Sequence, residues 1–285
     1  MASEIVADAD AQIVATLQLA LEDEARVGLV APKFYREVMV TGPTMAHKIP
    51  KHPSTADSSA ITDGTALGNT AIAVASVTVT CAGVGLAGDV TDQSAEGSAL
   101  GVLESIANFT RALVNKMDAD GCGILDNFST TVGTSNADLT IGNLLSAYYS
   151  LLLANEMRSP VYVLHPIQYL DAASAIVASA APVFGAQNVI GGFMGFQPND
   201  PNFRGTFMGI PVYTSSNVPS VNSDADRGGA LFSAGRALVW GWKWMPRAET
   251  IRTIKLPGTS IAVTACYGVA EVHDGAGVSI ITDHE

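Results

Sequence analysis

The segment Gly83–Gly88 reads GVGLAG and matches the G-x-G-x-x-G pattern of a turn that binds a dinucleotide. In that turn a helix must begin at the last glycine, so that its backbone N–H groups and positive dipole end face the pyrophosphate. Here Asp89, Thr91 and Asp92 precede the next helical pattern, and Gly121–Gly123, rather than a parallel strand, follows it. We therefore interpret the glycines as a loosened strand end, with a nucleotide-binding enzyme as the remote alternative.

The segment Asp118–Asp126 carries acidic residues and a glycine at several positions of a calcium-binding loop. Asp118 and Asp120 match the first and third ligand positions, and Gly123 matches the sharp turn at position six. Position twelve is Ser129, where such a loop needs a bidentate glutamate. The segment therefore predicts an acidic helix end that enters a turn, and we expect no metal.

Histidine, serine and cysteine show no arrangement typical of catalysis. The sequence contains no HExxH pair and no GxSxG nucleophile elbow. His165 precedes Pro166, where we expect it to cap a helix, and His273–Asp274 precedes Gly275 in a predicted turn. The cysteines are odd in number, at spacings unlike those of a disulfide framework, and we expect them reduced and buried. They are Cys81, Cys122 and Cys266. We expect no cofactor and no enzymatic activity.

Composition favours a protein whose surface meets other protein. The 285 residues include 27 acidic and 15 basic ones, for a formal net charge of -12, which argues against tight wrapping of nucleic acid. Charged residues make up 15% of the chain, against about 25% in ordinary soluble domains. So little charge predicts large interfaces. The uncharged stretches Gly64–Gly88 and Ala172–Asn199 are interrupted by glycine and polar residues, so we expect no membrane span.

Hydrophobic periodicity predicts an α+β protein with an extended arm. Residues 3–26 repeat apolar side chains every four positions, which predicts an amphipathic helix. Between Pro32 and Gly88, turn residues followed by β-branched alternation predict a long β-hairpin arm that cannot bury its own apolar face. The later predicted elements are helices over Ser94–Met117, residues 144–152 and Pro166–Ser179, a long loop over Gly185–Gly205, and strands over Val161–Leu164, Pro211–Thr214, Ala230–Ser233, Ala237–Trp240 and within Ile251–Ile281.

The arm and the C-terminal region supply the candidate contacts between subunits. Basic side chains on so acidic a chain suit acidic patches of identical neighbours, and apolar arm residues need a partner surface. The candidates are Arg36, Lys48, Lys51, Ile72, Val74, Val77, Arg247 and Arg252. We expect the arm to stabilise an assembly and to contribute little to the fold of the subunit. Trp240, Trp242 and Trp244 alternate as on one strand face and are predicted to lie in a core or an interface.

Several short segments, together with the order of the elements, resemble one structural family. Val161–Pro166 (VYVLHP) is similar to a strand-to-helix signature of that family, and Gly205–Tyr213 (GTFMGIPVY) is similar to its G-x-x-x-G-I-P-V-Y. Ala230–Ser233 and Arg236–Leu238 look like its return into a peripheral domain. The family is the major capsid protein of tailed bacteriophages, with the Hong Kong ninety-seven type of coat fold. The resemblance covers essentially the whole chain, and its motifs are packing signatures.

The resemblance implies a domain layout. Residues 1–37 would form an N-terminal arm and residues 38–88 the extended β-hairpin loop. Residues 89–130 and 237–285 would form a peripheral domain with a spine helix, and residues 131–236 an axial domain at capsomer centres. Hexamers and pentamers of the chain would then build an icosahedral shell around a double-stranded DNA genome.

The same resemblance implies partners and a location. The shell would belong to a virion, would assemble in the host bacterial cytoplasm, and would contact packaged DNA non-specifically if at all. A portal and a separate scaffolding protein would take part, and decoration proteins are left open. An encapsulin-like bacterial nanocompartment shell is the alternative within the same fold.

Covalent cross-linking is a known variation among such coats. In some relatives a lysine of the extended loop forms an isopeptide bond to an asparagine in a neighbouring peripheral domain. Lys48 and Lys51 lie in the matching arm, but residues 223–285 contain no asparagine. We therefore expect a shell held only by non-covalent contacts.

Overall fold

The computed structural model describes residues 28–51, 75–93, 99–179, 200–253 and 258–283. The helix predicted over residues 3–26 lies outside this part of the chain, as do the candidate contacts Ile72 and Val74 and most of the predicted loop Gly185–Gly205. The described residues form an α+β fold with three sheets, which confirms the predicted fold class.

The strands are β1 (Arg36–Met39), β2 (Ala46–Pro50), β3 (Ser76–Thr80), β4 (Ala82–Thr91), β5 (Thr131–Val132), β6 (Pro160–Leu164), β7 (Phe203–Phe207), β8 (Ile210–Thr214), β9 (Ser220–Val221), β10 (Asp226–Ser233), β11 (Leu238–Thr253), β12 (Gly258–Glu271) and β13 (Gly277–Asp283). The α-helices are α1 (Ala99–Cys122), α2 (Ile141–Leu153) and α3 (Pro166–Ser179). Short 3₁₀ turns cover Ala31–Phe34 and Asp274–Ala276.

A four-stranded sheet, in the order β1, β11, β12, β4, packs against α1. The buried side chains of α1 recur at helical spacing and face odd-numbered residues of β12, such as Val263. The helix continues to Cys122, beyond its predicted end at Met117, and buries Asp118. The Asp118 carboxylate accepts hydrogen bonds from the backbone N–H groups of Val30 (2.7 Å) and Ala31 (3.2 Å). This carboxylate therefore ties the N-terminal segment to the helix.

A seven-stranded sheet packs against α2 and α3. Six of its strands follow one another in the order β5, β13, β10, β6, β8, β7, and the seventh strand, β9, pairs with β10. The predicted helices at residues 144–152 and Pro166–Ser179 are confirmed, and so is the strand Val161–Leu164. Pro166 begins α3, where its missing N–H costs no helical hydrogen bond. Val163 and Phe232 of this sheet share a core with Trp240 of the first sheet, so the two sheets meet.

The glycine motif Gly83–Gly88 lies in the middle of β4, so its interpretation as a strand end was wrong in position. Strand β4 pairs with β12 along its whole length. A Cβ on Gly85 would lie 2.9 Å from the carbonyl oxygen of Val263, and one on Gly88 would lie 2.5 Å from the ring of Phe109. The glycines therefore allow close packing of β12 and α1, and the arm boundary expected at residue 88 falls inside a strand of the sheet.

The histidines and cysteines that were considered for catalysis occupy a helix cap, a turn and buried positions in the fold. His165 Nδ1 accepts a hydrogen bond from the backbone N–H of Ile167 (3.3 Å), which confirms its predicted capping role. His273 leads into the 3₁₀ turn predicted as a turn, and the three cysteines are free and buried, as predicted. Within the described residues, no group of three or more His, Cys, Asp or Glu side chains could hold a metal ion. No described helix is both long and apolar enough to cross a bilayer.

Candidate subunit interface

Strands β2 and β3 pair with each other and form the root of a hairpin, called here the hairpin root. Ile49 is 3% exposed and Val79 is 1% exposed, and both pack against Val239 and Val272 of the same chain. The hairpin root therefore belongs to the hydrophobic core of its own subunit. The expectation that the arm contributes little to the subunit was wrong for these residues, because alternation predicts an apolar face and not the surface that covers it.

Two glycines of the sheet admit the hairpin root. Gly241 and Gly268 are register partners across β11 and β12. A Cβ on Gly241 would lie 2.8 Å from Cγ1 of Val79, and one on Gly268 would lie 2.1 Å from the carbonyl oxygen of Thr80. Sequence reasoning missed this pair, although glycine inside a predicted strand is a signal of close backbone approach.

The two sides of the hairpin root differ in exposure. Ile49, Val79 and the half-buried Val77 lie on the side that faces the sheet, because residues two apart in a strand share a face. Lys48 and Thr78 are register partners on the opposite side, and both are exposed. Among the candidate contacts on the hairpin that the structure describes, Lys48 is therefore the one directed away from its own sheet.

Beyond the hairpin root, no described segment covers the same face of the sheet. Small residues of two paired strands form its floor, called here the outer shelf: Gly85, Ala87, Ala262 and Thr264. Exposed side chains of β11 border the floor. Arg247 pairs with Glu249 (Nε to Oε1, 3.1 Å) and its guanidinium lies 5.3 Å from the centre of the Trp244 ring, while Ile251 is 69% exposed. A floor of small side chains beside an exposed apolar and charged border suits an extended partner segment.

The three tryptophans do not share one strand face, which corrects the prediction. Trp240 and Trp242 are buried in the core beside α1, and Trp240 stacks on Tyr267 with ring centres 4.8 Å apart. Register shifts in β11 on both sides of Trp244 turn that residue to the opposite face, where it packs near Cys266. The irregularity is a β-bulge, which re-aims a side chain.

The other basic candidates differ in how far they are already paired. The Arg252 guanidinium donates two hydrogen bonds to the Asp92 carboxylate, at 2.8 and 3.4 Å, so its charge is already paired within the chain. Arg36 is exposed on β1, which lies at the edge of the four-stranded sheet. An edge strand presents unpaired backbone groups to its surroundings, so Arg36 lies where a neighbouring chain can approach.

Helix α2 presents a second apolar surface at the other sheet. Tyr149, Leu152 and Leu153 are 54%, 44% and 85% exposed, and their spacing places them on one side of the helix. This surface is called here the α2 apolar face. No charged residue occurs in α2. An exposed apolar surface on a helix without charged residues is typical of a contact with another protein surface.

A cluster of charges joins the two sheets beside the hairpin root. Glu156, which follows α2, binds Arg236 (Nε to Oε2, 2.6 Å) and His273 (Nε2 to Oε1, 3.2 Å). Asp274 accepts hydrogen bonds from the backbone N–H (2.7 Å) and the hydroxyl of Ser129. Glu271, His273 and Asp274 of this cluster are called here the acidic turn.

The pKa values of the two carboxyl groups of the acidic turn are shifted in opposite directions. Burial raises the pKa of Glu271, and the Asp274 charge adds to the rise, while Lys51 and His273 oppose it. Burial alone would also raise the pKa of Asp274, but the two hydrogen bonds from Ser129, helped by Lys51 and His273, lower it overall. Asp274 is therefore the more persistent negative charge.

No family model matches the chain, and no curated protein matches its sequence. Solved structures match it in fold. A structure of Mycobacterium phage Che8 covers 84% of this chain and 85% of its own, at TM-score 0.62 and 17% identity. The capsid structure of Cyanophage P-SCSP1u covers 88% of this chain and 87% of its own chain, at TM-score 0.65 and 13% identity. The SrpI encapsulin of Synechococcus elongatus covers 88% of this chain and 86% of its own chain, at TM-score 0.62 and 13% identity. The chain therefore has the fold of phage capsid proteins, the Hong Kong ninety-seven type.

Proposed function

We propose that this chain is the major capsid protein of a tailed bacteriophage and assembles with copies of itself into a closed icosahedral shell. The observation that carries the proposal is the α2 apolar face, because a helix without charge and with Leu153 85% exposed needs an apolar partner. The capsid fold supplies the kind of partner, a second copy of the chain.

The proposed contacts use two surfaces of each subunit. The α2 apolar face meets its copies near the centres of hexamers and pentamers, within an axial domain of about residues 131–236. The outer shelf of the peripheral domain receives the extended hairpin of a neighbour, whose contact residues include Lys48, Ile72 and Val74. An apolar contact of about 800 Å² per partner is the usual size of a stable interface.

The remaining parts of the proposal concern partners and place. A portal and a separate scaffolding protein direct assembly in the host cytoplasm, and the finished shell encloses double-stranded DNA. The net charge of -12 supports contacts with DNA that are few and non-specific. The protein acts as a structural component and not as an enzyme.

A nanocompartment shell is the second candidate, because solved encapsulin and virus-like particle structures have the same fold. Expression of the full-length chain with and without a scaffolding protein, followed by sedimentation and electron microscopy, separates the candidates. Uniform closed particles that require the scaffold support the capsid. Uniform closed particles from the chain alone support the nanocompartment. A monomer near 29.5 kDa under every condition contradicts both.

We expect the shell to be held without covalent bonds between subunits. Residues 223–285 contain no asparagine that could accept an isopeptide bond from Lys48 or Lys51. Boiled particles on a denaturing gel should give one band near 29.5 kDa. A ladder of multimers would contradict this expectation.

A further inference from the structure

Lys48 of strand β2 and Lys51, the residue that follows this strand, lie on opposite sides of the hairpin. Lys48 pairs in register with Thr78, is exposed and faces away from the sheet. The backbone N–H of Lys51 donates a hydrogen bond to the carbonyl oxygen of Ala75 (2.7 Å), so the ladder of the hairpin continues through Lys51. Lys51 therefore shares the inward side of the hairpin with Ile49, two residues before it, and is half-buried.

The inward side of the hairpin leads from the core to the acidic turn. Ile49 packs against Val272, which lies between Glu271 and His273. Lys51 is the next residue on this side of the hairpin, and its positive charge favours the ionised form of both Glu271 and Asp274. Ser129 binds Asp274 of this turn, and Glu156, which also binds Arg236, binds its His273.

We infer that Lys51 is a positioning residue that holds the hairpin root to the acidic turn of its own subunit, and that Lys48 is the lysine left for a neighbouring copy. A fixed root gives the hairpin one direction of departure from the sheet. The inference depends on the proposed function only in that a directed hairpin matters to assembly, because the attraction itself acts within one chain.

Hydrogen exchange of the β2 and β3 backbone amides in the full-length protein tests this role. Lys51→Gln should speed exchange at the hairpin root about two- to fivefold, the range expected for the attraction between opposite charges on partly exposed side chains. The matched control Lys48→Gln should leave exchange unchanged, and Lys51→Arg should restore it. The difference should shrink in 1 M NaCl, where the screening length falls to about 3 Å.

Salt alone gives a second measurement that needs no variant. In the wild-type protein, 1 M NaCl should speed exchange in β2 and β3 and leave the buried strand β10 unchanged. The inference is overturned if Lys51→Gln and Lys48→Gln behave alike, if arginine at position 51 fails to restore protection, or if salt leaves the hairpin root unchanged. A chain that never forms particles would contradict the proposed function and leave these exchange results intact.

Discussion

The hairpin root and the α2 apolar face are both apolar surfaces, but described residues of the same chain cover only the first. Ile49 and Val79 are almost fully buried, because Gly241 and Gly268 let the hairpin approach the sheet. Leu153 is 85% exposed, and no described segment packs over it. The comparison separates apolar residues that stabilise the subunit from those that remain for assembly.

The largest effect on the subunit is expected from Gly268→Val. A Cβ at this position would meet the carbonyl oxygen of Thr80 at 2.1 Å, which is backbone and cannot turn aside. Forcing the strands apart should cost about 3 kcal/mol or more and release the hairpin root. The matched control is Gly83→Ala, also in a strand of this sheet, where a Cβ meets nothing within 4 Å. Denaturant unfolding measures both, and equal stability of the two variants would contradict the account.

The effect of Leu153→Glu is expected on assembly and not on the fold. Because the side chain is largely in solvent, the stability of the unassembled subunit should change by less than about 0.5 kcal/mol. A charge at the centre of an apolar contact should nevertheless abolish particles. Ala112→Glu places the same charge on an exposed position of α1 and serves as the control. Normal particles from Leu153→Glu, seen by sedimentation, would show that the α2 apolar face is not an interface.

The smallest effect is expected from acid at the acidic turn. The folded pKa of Asp274 is lowered, so its ionised form stabilises the fold above the unfolded pKa of about 3.9, and this contribution is lost as the pH falls further. Asp274→Asn should therefore lower stability at pH 7, by at most about 1 kcal/mol, and leave it unchanged near pH 2. Thermal unfolding at a series of pH values measures this, and a constant difference across the series would contradict it.

Local sequence patterns predicted the elements better than their partners. The helix Pro166–Ser179 and the strand Val161–Leu164 were predictable, because proline, spacing and β-branching act within a few residues. The Gly241–Gly268 approach was not, since the two glycines meet only after β11 and β12 pair. The β-bulge at Trp244 likewise depends on the register with β12, so alternation alone placed that side chain on the wrong face.

The candidate contacts show the same limit. The sequence predicted Arg252 and Lys51 as contacts with neighbouring subunits, because the chain order does not show which charges attract each other within the fold. Asp92 is far from Arg252 in sequence, and the acidic turn is far from Lys51. The structure brings each of these two pairs closer together. The α2 apolar face was predicted only as a helix, since spacing does not show how much of an apolar helix its own sheet covers.

Electron cryomicroscopy of particles formed by the full-length chain tests the central claim most directly. The account predicts a closed shell in which Leu153 is buried between copies of α2 and the outer shelf is covered by a neighbouring chain. It also predicts that Ile49 and Val79 stay on the sheet of their own subunit. Particles in which the α2 apolar face points to solvent, or a chain that stays monomeric with and without scaffold, would contradict the account.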